Sequence, residues 1–189
     1  GQVSVSSNLF LEADGIEARP FLPGKYLLVG ASLCGGRSYA MLERFFRLYA
    51  EEAGMKNVDH YAVMERLLDK SGKESELKVS TTFSGTRDEP WKRGGIWNIS
   101  VENFTPENLI RGFLEGMTEE LYSMYKEMEM KLESEERVLV LSGNGFRKNR
   151  PLREIAEEKF GMRAVLAASC EEAACGAAKA GSDICGGEV

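Results

Sequence analysis

Hydrophobic and polar residues alternate along residues 2–10, and this period of two predicts a β-strand. A second strand is predicted for the apolar run 25–29. A turn of small residues then leads into a helix predicted for about 37–52, because its apolar positions recur at helical spacing. A further helix is predicted for 59–68, and the pattern returns to strand at 96–101. The first half of the chain therefore mixes strands with helices.

The most regular pattern follows Thr105, which is a suitable N-cap for a helix with Pro106 in its first turn and Glu107 near its positive end. The apolar residues that follow lie on one broad helical face: Ile110, Phe113, Leu114, Met117, Leu121, Met124, Tyr125 and Met128. Because this face is wider than a coiled-coil seam, it predicts a long helix packed on the core.

The second half of the chain has a β-α-β-α order. The continuous apolar run 138–141 is typical of a strand covered on both faces, and a helix follows that ends at Gly161. A short strand is predicted for 163–166, and Ser169 with Glu172 forms a capping box for the last helix. Taken together, the elements predict an α/β fold with a mixed sheet flanked by helices and joined by right-handed crossovers.

Composition excludes several classes of protein. Hydrophobic residues make up 43% of the chain and charged residues 29%, which is a soluble, globular balance. The formal net charge of −6 and the lack of a basic stripe argue against a nucleic-acid partner. No apolar run is long enough to cross a bilayer and no signal peptide is recognisable, so we expect no membrane association and a cytoplasmic location.

The cysteines and the single histidine do not suggest a metal site. Cys34, Cys170, Cys175 and Cys185 are widely spaced, without the Cys-x-x-Cys pattern of zinc ligands. His60 lies in an amphipathic helical stretch, where a structural role is expected. The chain also begins with glycine, directly on a predicted strand, and we therefore expect it to be a piece of a longer protein.

A glycine-containing loop, residues 142–146, follows the apolar strand and opens a helix. Ligands of α/β proteins collect at the carboxyl ends of strands, and glycines let a backbone approach them closely. Steric need within the protein is an equally good explanation. The loop is neither a dinucleotide fingerprint, since Lys148 stands at the third glycine position, nor a P-loop. The cations that follow (Arg147, Lys148, Arg150 and Arg153) fit either a bound anion or a solvated surface.

Five segments in order resemble the second domain of the FGGY family of carbohydrate kinases. They are residues 1–5, which are similar to the stretch after the family's Gly-Thr phosphate turn; 83–94, similar to its Gly-x-Arg, Pro and Arg-Gly loop; 111–116, similar to its Arg-x-x-x-Glu-Gly helix; 143–149, similar to its adenosine loop; and 172–178, similar to its closing helix. Residues 31–36 and the compact spacing of 85–94 resemble the sedoheptulose kinases, although Cys34 stands where that branch often has asparagine.

This resemblance implies a ribonuclease H-like domain of the actin/hexokinase ATPase type. Residues 1–189 would be the C-terminal nucleotide-binding domain, with a helical insertion at roughly 35–94 and the N-terminal sugar-binding domain outside this chain. The implied activity is transfer of the γ-phosphate of ATP, with Mg²⁺, to a sugar hydroxyl, converting sedoheptulose to sedoheptulose 7-phosphate. The implied partners are ATP or ADP, the sugar, the N-terminal domain and a second copy in a homodimer.

The resemblance also implies the site residues. The adenine and ribose would lie against Gly143, Gly145, Phe146 and Asn149, with Gly35 and Gly36 nearby and Gln2 close to the phosphates. No catalytic residue and no metal ligand of the family has a match in this chain, so the chain alone is expected to be inactive. The alternatives are a kinase for xylulose or glycerol, a non-catalytic nucleotide-binding domain of the same superfamily, and a stand-alone interaction domain whose glycine loop is purely steric.

Overall fold

The computed structural model describes residues 1–11, 13–71, 75–132, 137–169 and 171–185. The chain is an α/β protein, as predicted, and divides into two compact units, Gly1–Glu135 and Glu136–Val189. We call these unit 1 and unit 2 and describe each by itself.

Unit 1 begins with three strands: β1 (Gln2–Ser7), β2 (Ile16–Pro20) and β3 (Tyr26–Ala31). They pair antiparallel in the order β1-β3-β2. The centre of the sheet is apolar, with Leu28 and Val29 almost fully buried. The two predicted strands are confirmed with shifted ends, whereas β2 was missed, although its sequence, Ile-Glu-Ala-Arg-Pro, alternates apolar and charged residues.

Two helices and a small second sheet follow. Helix α1 spans Gly35–Glu52 and α2 spans His60–Leu68, close to the predicted bounds. Strands β4 (Lys78–Ser80) and β5 (Gly95–Trp97) pair antiparallel. That residues 35–94 form an insertion stays a prediction.

Helix α3 (Pro106–Glu129) packs against both sheets of unit 1 and against α1 and α2. Its predicted N-cap is confirmed, because the Thr105 hydroxyl accepts from the Asn108 N–H at 3.4 Å. Glycines permit the close packing. A Cβ at Gly116 would lie 2.3 Å from the carbonyl oxygen of Val79 in β4, and one at Gly30 in β3 would lie 2.7 Å from the Cβ of Met124.

Unit 2 contains β6 (Leu139–Leu141), α4 (Asn144–Lys148), α5 (Arg150–Phe160), β7 (Ala164–Leu166) and α6 (Glu172–Cys185). Strands β6 and β7 pair parallel, as the crossover predicted. The chain leaves α5 through Gly161, whose φ of 62° is the left-handed conformation expected after a helix.

Among the described residues, the strands of unit 1 form two antiparallel sheets and those of unit 2 form a parallel pair. Two expectations need correction. Strand β6 is not covered on both faces, since Val140 is 62% exposed. The helix predicted after the glycine loop is broken at Asn149, because Pro151 has no N–H to continue α4 and instead suits the first turn of α5.

Within the described residues, none of the helices combines the length and the apolar character that crossing a bilayer requires.

Candidate functional site

The loop between β6 and α4 is held in a conformation that only glycine adopts easily. Gly143 has φ 87° and ψ 162°, a region closed to residues with a side chain. The next turn is closed by backbone hydrogen bonds from the Arg147 N–H to the Gly143 carbonyl and from the Asn149 N–H to the Gly145 carbonyl, both at 3.1 Å. At Gly143, therefore, the steric explanation for glycine is correct.

Gly145 is different. Its φ lies outside the left-handed region, the residue is exposed, and a Cβ built on it would meet no heavy atom within 4 Å. Glycine in a helix costs stability relative to alanine, so the described protein gives no reason for glycine at this position. The described residues therefore leave room at Gly145 for a side chain or for another molecule, as they also do at the helical glycines Gly36 and Gly176.

Phe146 and Asn149 follow on the same turn, and both are half-buried. The Asn149 side chain already has a structural role as the N-cap of α5, since its Oδ1 accepts from the Leu152 N–H at 3.0 Å. Only its side-chain amide group could therefore donate to a ligand without disturbing α5. The four residues predicted from the adenosine-loop resemblance thus share one short segment, with different burial and different backbone demands.

The cations of this region have partners within unit 2. Arg147 donates to the carbonyl of Ala167 at 2.8 Å, to the carbonyl of Ser169, and to the Glu172 carboxylate at 2.6 Å. Arg153 donates to the carbonyl of Phe146 at 2.6 Å, while Arg150 pairs with Glu154 at 2.7 Å. Arg147 is thus paired with a carboxylate inside unit 2 and Arg153 donates to backbone carbonyls, whereas the Arg150 pair is largely exposed to solvent. None of the three side chains requires a bound anion.

Glu172 does not complete the predicted capping box with Ser169. Its Oε1 accepts from Arg147 and, at 3.4 Å, from the backbone N–H of Gly143, while the Ser169 hydroxyl accepts from the Glu171 N–H at 3.1 Å. The hydrogen bond from Arg147 is the main cause that lowers the pKa of Glu172, and the N–H of Gly143 adds to it. This link between α6 and the glycine loop was not visible in the sequence.

The remaining predicted site residues lie in unit 1. Gly35 opens α1, and a Cβ there would lie 2.3 Å from the backbone nitrogen of Gly1, so glycine is required by the adjacent chain. Gly36 has open space around it, and Gln2 is exposed on β1 with its amide donating to the Ser4 hydroxyl at 3.1 Å. The structure thus brings the start of β1 next to the start of α1.

Unit 1 also contains an open cavity of about 510 Å³ that sequence reasoning missed. Acidic side chains dominate its charged lining, among them Asp14, Glu120 and Glu127, together with Arg87, which pairs with Glu17. Arg87 belongs to the Gly-x-Arg loop, and that motif was the available signal. In the described part of the chain, no three His, Cys, Asp or Glu side chains are arranged to hold a metal ion.

Comparison with known proteins gives a relative and a fold. No protein-family model matches the chain. Sedoheptulokinase of Mus musculus is 26% identical over 143 residues, which cover 75% of this chain and 30% of that protein. The chain therefore spans about a third of the length of this relative.

Solved structures of carbohydrate kinases share the fold. Gluconate kinase from Lactobacillus acidophilus matches with a TM-score of 0.81 at 14% identity, over 98% of this chain and 37% of that one. Glycerol kinase from Plasmodium falciparum, solved with ADP, matches with a TM-score of 0.63 at 19% identity, over 82% of this chain and 29% of that one. The resemblance inferred from the sequence is confirmed: this chain is similar to the FGGY-type carbohydrate kinases and, among them, to sedoheptulokinase.

Proposed function

We propose that this chain is the nucleotide-binding domain of an ATP-dependent carbohydrate kinase, with sedoheptulose as the first candidate substrate. One observation carries the nucleotide assignment: Gly145 is a helical glycine that faces open space, in the segment that resembles the adenosine loop. The match to a sedoheptulokinase supports the substrate class, and the shared fold with a glycerol kinase solved with ADP supports the nucleotide.

The proposed roles are those that the family resemblance implies. Gly143, Gly145, Phe146 and Asn149 would contact adenine and ribose, with Gly143 shaping the loop and Gly145 leaving room for the ligand. In unit 1, Gln2 would lie near the phosphates and Gly35 and Gly36 near the nucleotide. Phosphoryl transfer depends mainly on positioning and on stabilising the charge of the phosphates.

ATP would supply the transferred phosphoryl group, and Mg²⁺ would neutralise charge on the phosphates. Because the described residues offer no metal cluster, the ion would be held chiefly through the phosphates and water, as is usual for Mg²⁺. We propose that the catalytic base and the sugar site belong to a second domain outside these 189 residues. This chain alone could then bind nucleotide, but it could not align a sugar hydroxyl with the γ-phosphate.

Two measurements test this proposal. Calorimetric titration of the chain with ADP should show saturable binding, and its absence would remove the nucleotide assignment and favour an interaction domain. A coupled assay of ADP release should show no sugar-dependent turnover by the chain alone. A complete enzyme that carries this sequence should turn over sedoheptulose in a panel of ketoses, aldoses and polyols.

Three outcomes of the panel would contradict parts of the proposal. Turnover by the chain alone would show that it holds its own base. Activity only on xylulose or glycerol would keep the kinase and reject sedoheptulose. Nucleotide binding without turnover of any sugar by the complete protein would favour a non-catalytic domain.

A further inference from the structure

The glycine loop and the last helix of unit 2 are joined by one ion pair. The Nη2 atom of Arg147, in α4, lies 2.6 Å from Oε1 of Glu172, the first residue of α6. Both side chains are largely shielded, with 20% and 29% of their surface exposed. The same Oε1 accepts from the backbone N–H of Gly143 at 3.4 Å. A single carboxylate oxygen therefore contacts the Gly143 N–H near the start of the loop and the side chain of Arg147, the residue that follows the loop.

Arg147 extends this network to the connection between β7 and α6. Its guanidinium donates to the carbonyls of Ala167 and Ser169 as well as to Glu172. All three contacts are made by the Nη2 atom, so its two hydrogens are shared among the three acceptors. Two stretches of chain 20 to 25 residues apart are thereby fixed to each other.

The loop needs support of this kind. Helix α4 has only five residues, and its N-cap, Gly143, offers no side-chain hydrogen bond. An isolated turn of this length is unstable, since helix nucleation is unfavourable. The conformation of residues 143–146 must therefore be maintained by contacts with the rest of unit 2, of which the Glu172 carboxylate and Arg153 are the charge-assisted ones.

We propose that Glu172, acting through Arg147 and the Gly143 N–H, is a positioning residue that holds the loop in the conformation in which Gly145 can receive a nucleotide. This inference rests on the proposed function. Glu172 is not a catalytic residue, because its carboxylate is occupied by the loop itself. Neutral pH lies well above the lowered pKa of Glu172, so the carboxylate is ionised and the contact persists under working conditions.

The test compares Glu172→Gln with Glu154→Gln in the full chain. Both substitutions remove one carboxylate that accepts from an arginine in unit 2, but the Glu154 pair is exposed and lies on α5 alone. We expect the dissociation constant of ADP to rise about tenfold in Glu172→Gln, the effect of losing a charge-assisted hydrogen bond. It should change less than about twofold in Glu154→Gln, as for an exposed pair.

The energetic coupling between Arg147 and Glu172 in ADP binding distinguishes a positioning role of Glu172 from a general loss of stability. If Glu172 acts through Arg147, the double variant Arg147→Lys with Glu172→Gln should bind ADP no more weakly than the weaker of the two single variants. Amide hydrogen exchange without nucleotide should accelerate at residues 143–147 in Glu172→Gln and stay unchanged in α5.

The outcomes separate the inference from the proposed function. If the parent chain binds ADP and Glu172→Gln binds it equally well, the inference is wrong. Additive losses in the double variant would also overturn it. If the parent chain does not bind ADP, the proposed function fails, and the exchange rates still show whether Glu172 holds the loop. Unchanged exchange at residues 143–147 would reject the positioning role by itself.

Discussion

Replacing Gly145 with valine separates a requirement of the ligand from a requirement of the fold. A side chain at this position meets no heavy atom of the described protein within 4 Å, and the backbone conformation is open to any residue. Valine is a slightly better helix former than glycine, so the free energy of unfolding should change by no more than about 0.5 kcal/mol. By contrast, a nucleotide packed against the glycine would have to retreat from two added methyl groups.

The expected loss of affinity follows from the usual cost of overpacking. A cost of about 1–3 kcal/mol corresponds to a roughly 5- to 150-fold increase in the dissociation constant of ADP. Titration calorimetry measures this change, and thermal unfolding checks that the variant is folded. For a chain of 189 residues, 0.5 kcal/mol moves the melting temperature by about 1–2 °C.

Gly143→Ala is the matched control. Because Gly143 has φ 87° and ψ 162°, alanine there should cost about 1–3 kcal/mol of stability whether or not a ligand binds. Unchanged ADP affinity in a folded Gly145→Val protein would refute the placement of the nucleotide at this loop. A large loss of stability in Gly145→Val would refute the geometric argument instead.

Two further predictions concern packing and charge. Gly116→Ala should lower the free energy of unfolding by about 1–3 kcal/mol, because the added methyl group would lie 2.3 Å from the Val79 carbonyl oxygen. Gly176→Ala on α6 should not lower it, since the added Cβ would meet nothing within 4 Å. Chemical denaturation measures both changes. Because the pKa of Glu172 is lowered from its usual 4.5, the contact with Arg147 stabilises the folded state above about pH 4.5 and is lost as the pH falls through the lowered pKa. The difference in the free energy of unfolding between the parent and Glu172→Gln should therefore shrink in that acidic range and stay constant above it.

Local patterns predicted local structure well. The cap at Thr105 and the long helix behind it depend on residues only a few positions apart, and both were found where the pattern indicated. Strand β2 was not predicted from the sequence. Its apolar and charged residues do alternate, but the alternation is short and ends at Pro20, which is as compatible with a loop as with an edge strand. The break at Asn149 could have been predicted from Pro151, which is disfavoured in a helix interior.

The candidate site was located by sequence, but its internal contacts were not. The pair between Arg147 and Glu172 spans 25 residues, and no periodicity connects its members. The same sequence also left the reason for two neighbouring glycines undecided. The backbone angles explain glycine at position 143, and the empty space at Gly145 leaves room for the proposed ligand. Such distinctions depend on tertiary geometry, which a sequence pattern does not contain.

The glycine contacts of α3 make this helix a rigid spacer. Gly116 on α3 touches β4, and Met124 on α3 touches Gly30 of β3, so the two sheets of unit 1 meet the same helix at points eight residues apart. At 1.5 Å per residue, these points are about 12 Å apart along the axis. A straight helix does not shorten appreciably, so α3 fixes the distance between these two contacts. An axial movement of α3 would therefore displace both contacts by the same amount.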